Sequence, residues 1–173
     1  MAAKQVVVSG IIDHIRRVFQ VVHEQSKEAK RKTGITGPQL WAIKIIRELS
    51  PVRVSDLARR LYIHPATAVG ILDRLEASGL IIRERSLQDK RVVKVRLTGK
   101  GEKLVVDAPR VAQGLLVEGL EKLTLKRLQA ISSALDELVA ILGAQELPPQ
   151  MILSQEVNIP EKGRRRVKRI HDG

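Results

Sequence analysis

Apolar residues recur at steps of three and four from near the start of the chain: Val8, Ile11, Ile12, Ile15, Val18, Phe19 and Val22. That period predicts a helix with a wide apolar face. The helix runs into the charged stretch 27–32 and stops near Gly34. A helix this apolar, at the edge of a small domain, needs a large surface to cover it. Thr36-Gly37-Pro38 opens a second helix with Thr36 as N-cap. Leu40, Trp41, Ile43, Ile45 and Leu49 form its buried side, and Ser50-Pro51 ends it.

The pattern then shortens. Val54-Ser55-Asp56-Leu57-Ala58-Arg59-Arg60-Leu61 predicts a short helix capped by Ser55, with Leu57, Ala58 and Leu61 inward. Tyr62-Ile63-His64-Pro65 reads as a turn, because Pro65 pushes His64 out of helical geometry. Pro65 itself suits the first turn of a following helix, which closes at Ser78-Gly79. The period next changes to two. Residues 80–85 and 92–97 read as strands, with Val93, Val95 and Leu97 alternating against Lys94 and Arg96. The polar residues 86–91 join them as a hairpin turn.

Thr98 can cap the next helix, and Pro109 interrupts its pattern. Beyond Thr124, Leu128, Ile131, Leu135, Leu138 and Leu142 alternate steps of three and four, a seam suited to helix–helix packing. Gly143 ends it. From Ala144 the composition shifts, with breakers at Pro148-Pro149 and Pro160 and a basic run over 162–169. No internal repeat is visible.

Helix, turn, helix and hairpin, in that order, make a winged helix-turn-helix. The fold class is mainly α with a small β-hairpin wing and flanking dimerisation helices. The expected organisation is an N-terminal dimerisation helix over 1–34, the winged domain over 35–100, C-terminal dimerisation helices over 101–143 and a basic tail over 144–173. The B-DNA major groove is about 12 Å wide and admits one helix, so a short recognition helix can read base edges there. A hairpin turn can carry an Arg into the neighbouring minor groove, where negative potential is strong.

Charge agrees with that partner. The chain has 173 residues, 31 Lys and Arg against 19 Asp and Glu, and a formal net charge of +12. Such a balance points to a polyanion. Between Arg53 and Lys103 stand twelve basic and six acidic residues, so the excess extends to the winged region. An ordinary solvated face would carry less bias.

Composition removes other classes. Phe19, Trp41 and Tyr62 are the whole aromatic set, so the core must be aliphatic, and binding of single strands by base stacking lacks its rings. With no cysteine there are no disulfides, thiolate zinc sites or thiol redox switches. His14 and His23 lie nine residues apart, about 180° round a helix, and cannot share a metal within it. No nucleophile–His arrangement or Gly-rich phosphate loop appears, so neither an enzyme nor a cofactor or metal site is expected. No signal-peptide pattern and no apolar run of about 18 residues occurs. The expectation is a cytoplasmic protein without a membrane partner.

The motifs in combination resemble one family. Val54-Ser55-Asp56-Leu57-Ala58-Arg59-Arg60-Leu61, Leu72-Asp73-Arg74-Leu75-Glu76-Ala77-Ser78-Gly79-Leu80-Ile81, Asp89-Lys90-Arg91 and Leu97-Thr98-Gly99-Lys100-Gly101 are similar to the MarR family of transcriptional regulators. The motif region covers about residues 36 to 104, and the flanking helices extend the likeness to about 8 to 143. The resemblance implies a triangular homodimer whose terminal helices interleave, each subunit offering one winged helix to a palindromic site on double-stranded DNA. A repressor released by a small phenolic or aromatic effector is the implied mode of action. His14, Arg17, Val18, Trp41 and Ile45 could line the effector's space, though Trp41 also reads as plain core.

The resemblance also distributes roles for DNA binding. Asp89 would hold the wing's shape, Arg91 would enter the minor groove, and Lys90 beside it would also bind DNA. His64, Pro65, Ala66, Thr67, Val69 and Gly70 fall on the early turns of the recognition helix, Arg74 one turn later would meet phosphate, and Ser55 would bring backbone N–H groups to another phosphate. Many relatives carry a polar residue and an Arg where this chain has Val69-Gly70. That removes a bidentate donor worth about 1–3 kcal/mol of base discrimination. Two other readings compete: an architectural duplex binder with little specificity, and a winged helix that binds protein only.

Overall fold

The computed structural model describes residues 2–85 and 92–147. Among them the chain runs α1 (Ala2–Thr33), α2 (Gly37–Leu49), β1 (Val52–Arg53), α3 (Val54–Arg60), α4 (Pro65–Ala77), β2 (Ile81–Arg85), β3 (Val93–Leu97), α5 (Gly99–Val106), α6 (Ala112–Leu120) and α7 (Leu125–Ile141). The helix-turn-helix is α3–α4, and β2–β3 is the hairpin. Its register pairs Ile81 with Leu97, Arg83 with Val95 and Arg85 with Val93. The wing turn, with Asp89, Lys90 and Arg91, and the tail beyond Leu147 lie outside the described residues.

α2 is the centre of the core. Leu40, Ile43 and Ile46 are fully buried, and they meet Leu57 and Leu61, Ile71, Leu72 and Leu75 of α4, and Leu80, Ile81 and Val95. The helix starts with a complete capping box. Thr36 Oγ1 accepts from Gln39 N–H, and Gln39 Oε1 accepts from Thr36 N–H at 2.9 Å. Both capping residues are buried, so their polar atoms are satisfied where water cannot reach them.

Two local expectations change. First, the sheet has three strands in the order β1-β3-β2, because Val52 pairs with Val95 and Arg53 with Lys94. A two-residue strand is too short to show a period of two. Second, Ser55 is not the cap of α3. That helix begins at Val54, its N-cap is Arg53 in extended geometry, and no side chain caps it. β1 leads directly into α3, so the extended residue before the helix belongs to the sheet and displaces the start by two positions.

The Leu97-Thr98-Gly99-Lys100-Gly101 stretch docks α5 on the turn that follows α4. Thr98 N–H donates to Leu80 O at 3.0 Å, Thr98 Oγ1 to Gly79 O at 2.7 Å, and Lys100 Nζ to Ser78 O at 2.9 Å. Thr98 Oγ1 also accepts from Gly101 N–H at 3.1 Å, capping α5. A Cβ at Gly101 would lie 2.1 Å from Leu80 O. Only glycine allows this backbone approach. Gly79 turns the chain at φ +69, the left-handed position that ends α4.

The long helices contrast with this packing. α1 buries Val22 and Ala29 but leaves Ile11, Ile12, Val18 and Phe19 exposed. α7 buries no residue at all, and Leu135 and Leu142 of its seam are 55% and 80% exposed.

Candidate nucleic-acid interface

α4 is held as a presented helix. His64 is its N-cap, with φ −66 and ψ 143, and its Nδ1 accepts from Ala66 N–H at 3.3 Å. Pro65 fills the first helical position, where no N–H is needed. Ala68, Ile71, Leu72 and Leu75 recur at steps of three and four and fix the inner face in the core. The opposite face carries Ala66, Val69, Gly70 and Asp73, with Thr67 at its flank. His64, Pro65, Ala66 and Val69 are exposed, while Thr67, Gly70 and Arg74 are half-buried. The space around Gly70 is open. Ser55 is exposed on the first turn of α3. Of the residues predicted to approach DNA, the structure thus sets the α4 group on one surface.

Electrostatic ties lock α4 to the wing. Arg83 on β2 bonds Asp73 Oδ1 through Nη2, and its Nε lies 3.2 Å from Glu76 Oε2. The Nε contact is an ion pair without hydrogen-bond alignment, since that nitrogen has no hydrogen-bond partner. Arg83 N–H donates to Glu76 Oε1 at 3.2 Å. Across the hairpin, Arg96 Nη2 donates to Glu84 Oε1 at 2.6 Å. That bond holds the Glu84 carboxyl below its usual range and the Arg96 guanidinium above its own. These acids neutralise Arg83 and Arg96, so neither cation is spare. Sequence reading missed the Arg83 clamp because Asp73 and Arg83 are ten residues apart with a turn between them. Their paired charge signs were the available signal.

A second tie joins the turn before α4 to the end of α6. Tyr62 Oη donates to Glu121 Oε1 at 3.0 Å, and Arg60 Nη1 donates to the same oxygen at 2.7 Å. The Glu121 carboxylate holds the Tyr62 phenol above its ordinary value, chiefly through that hydrogen bond. Nothing in the sequence linked residues some sixty positions apart.

Four of the five residues expected around an effector line two hollows. One, of about 320 Å³, is nearly all apolar and is lined by Arg17, Val18, Val21, Val22, Ala112, Leu115 and Leu116. The other, of about 150 Å³, is mixed. Trp41, Lys44, Ile45, Glu48, Arg110, Gly114 and Glu118 are among its lining residues. Arg17 and Val18 therefore line the first and Trp41 and Ile45 the second, with Leu115 common to both. His14 lines neither. Trp41 is also core, as its second reading had it: it is 6% exposed and packs on Gly114 of α6, where a Cβ would lie 3.4 Å from the indole. Lys44 Nζ donates to Ala108 O at 3.1 Å. Burial, then the neighbouring Arg110, draws the Lys44 ammonium below the usual lysine range. Among the described residues, no helix is long and apolar enough to cross a membrane.

Comparison with known proteins places this geometry. The MarR family model matches residues 35–93. The organic hydroperoxide resistance transcriptional regulator of Bacillus subtilis (strain 168) is 34% identical over 119 residues, which cover 69% of this chain and 80% of that protein. The HTH-type transcriptional repressor MdtR of the same organism is 28% identical over 102 residues, 59% of this chain and 66% of MdtR. Among solved structures, the S. aureus MepR–DNA complex aligns with a TM-score of 0.52 at 20% identity, covering 78% of this chain and 97% of that one. A mutant MarR from E. coli complexed with operator DNA aligns with a TM-score of 0.50 at 23% identity, covering 75% and 96%. At these identities the two structures support the fold alone, a winged helix-turn-helix with flanking helices.

Proposed function

This chain belongs to the MarR family of transcription regulators, and from that premise we propose that it represses transcription by binding a palindromic operator as a homodimer, with release by a small aromatic effector. One arrangement carries this function: a recognition helix with its inner face locked in the core and its outer face free, on a chain whose α1 and α7 keep their apolar faces uncovered. The free face enters the major groove, where Thr67 meets phosphate or a thymine methyl and Ala66 and Val69 add apolar contact. His64, Pro65 and Gly70 bring the backbone close, and Ser55 and Arg74 contact phosphates. Arg91 and Lys90 on the wing, shaped by Asp89, reach the minor groove. A second copy covers α1 and the α7 seam, so residues 1–34 and 101–143 serve dimerisation and 35–100 reads DNA.

The mixed hollow suits the effector. Trp41 offers a ring and Lys44 offers charge to an acidic or phenolic group, while Arg110 on the same wall is held by Glu118 at 2.6 Å. Its position between α2 of the winged domain and α6 would let occupancy shift one against the other.

An architectural duplex binder is the second reading. It is favoured by one observation, the absence of a hydrogen-bonding side chain at Val69 and Gly70 on the outer face of α4. Mapping of genomic fragments bound by the chain, followed by affinity measurements on one such fragment and on a scrambled duplex, separates the two. The regulator keeps a preference on the order of 10³ or more at physiological salt. Equal affinities overturn it in favour of the architectural reading. Arg91→Ala that leaves duplex binding untouched points instead to a protein-binding wing.

A further inference from the structure

We infer that Glu121 is a positioning residue for DNA reading, tying the turn before the recognition helix to the corner from which α7 departs. The inference rests on the homodimer reading above. Glu121 is the C-cap of α6, and Lys122, Leu123 and Thr124 alone separate it from α7. No residue of α7 is buried within one chain and only Leu128 and Leu138 of its seam are half-buried, so inside a single subunit its direction depends strongly on this corner. On the other side, Tyr62 lies three residues before Pro65, the first residue of α4. One carboxylate oxygen receives both the Tyr62 hydroxyl and the Arg60 guanidinium, so the loop is held from the end of α3 and from the turn itself.

The turn's backbone strengthens the case. Tyr62 has φ +54, a left-handed conformation that glycine adopts freely and a side chain adopts at a cost. Tyr62 N–H donates to Arg59 O and Ile63 N–H to Ala58 O, both at 3.1 Å, so the turn closes through its backbone. That closure needs no ring, and the ring is exposed. What the tyrosine adds is its hydroxyl on Glu121. Strain retained at a position where glycine would serve marks a side chain with a task.

In a dimer held through α7, this link fixes where each α4 stands relative to the interface, and so fixes the span between the two recognition helices. Loosening it leaves each reading head intact and blurs the span.

The test uses the full chain, with Glu121→Ala, Glu121→Gln and Tyr62→Phe. Affinity is measured on a genomic fragment the protein binds, on the same fragment with one base pair inserted at its dyad, and on random duplex. The insertion displaces one half-site by about 3.4 Å and turns it by about 35°. Native mass and circular dichroism accompany each variant. The wild-type chain discriminates against the insertion. Glu121→Ala reduces that discrimination by between about twofold and thirtyfold, the range for one exposed ion pair and one hydrogen bond to a carboxylate. Tyr62→Phe does so less, and Glu121→Gln falls between, since it keeps an acceptor for Tyr62 and loses the charge that faces Arg60. Binding to random duplex stays unchanged. Unchanged discrimination in Tyr62→Phe and in folded Glu121→Ala overturns the inference. A wild-type chain that binds the fragment as a monomer overturns it too, but through the homodimer premise, and the mass measurement tells the two failures apart.

Discussion

The winged region and the two long flanking helices differ in where their apolar residues end up. From Ile35 to Leu97 large side chains close on one another, with Leu40, Ile43, Leu72 and Leu75 at 0% exposure. In α1 and α7 comparable side chains lie open, Phe19 at 65% and Leu135 at 55%. The sequence periods are alike in the two regions. What differs is that α2 is surrounded by α4, α5, β3 and α6, whereas no residue of α7 is buried and only Leu128 and Leu138 of its seam are half-buried. A sustained apolar seam without a covering element marks an interface, whereas the same spacing inside a ring of neighbours marks a core.

That contrast can be broken or sharpened in order of expected effect. Leu72→Ala empties a fully buried site of the winged region and should cost about 2–5 kcal/mol in urea unfolding. Ile131→Glu with Leu135→Glu should leave the winged region folded and raise the dimer dissociation constant at least about a hundredfold, read by sedimentation over a range of concentrations. If that double variant unfolds the chain outright without a change in association, the two regions are not separable. Gly101→Ala forces backbone away from Leu80 O and should cost about 1–3 kcal/mol by the same unfolding measurement. Thr98→Ala removes the α5 cap and the bond to Gly79 O, for about 1 kcal/mol.

Much of this architecture was legible in the chain, for identifiable reasons. The capping signal at Thr36, the Pro65 start of α4 and the Gly79 stop are local, and local chemistry decides them. The hairpin followed from alternation at Val93, Val95 and Leu97. β1 was not legible, because two residues carry no period and its partner Val95 lies some forty positions on. The Ser55 cap failed for the same reason, since the sheet claims Arg53. At the candidate interface, sequence reading assembled the α4 face but not the acids that neutralise Arg83 and Arg96. A charge count cannot distinguish a paired cation from a spare one, so the winged region's basic excess overstates what its strands offer to phosphate. The Glu121 link spans too much chain for any spacing rule. Of the residues expected around an effector, four divided between two hollows and His14 lined neither, because helical spacing says which side chains point inward, not which side of α6 they meet.

In the proposed homodimer each subunit reads the major groove with one head, and the two subunits join through α1 and α7. Guanine-methylation interference on a bound genomic fragment tests both at once. Two dyad-related clusters of major-groove interference, about one helical turn apart centre to centre or a multiple of it, are the predicted result. A single cluster, or weak interference spread evenly along the duplex, would contradict it.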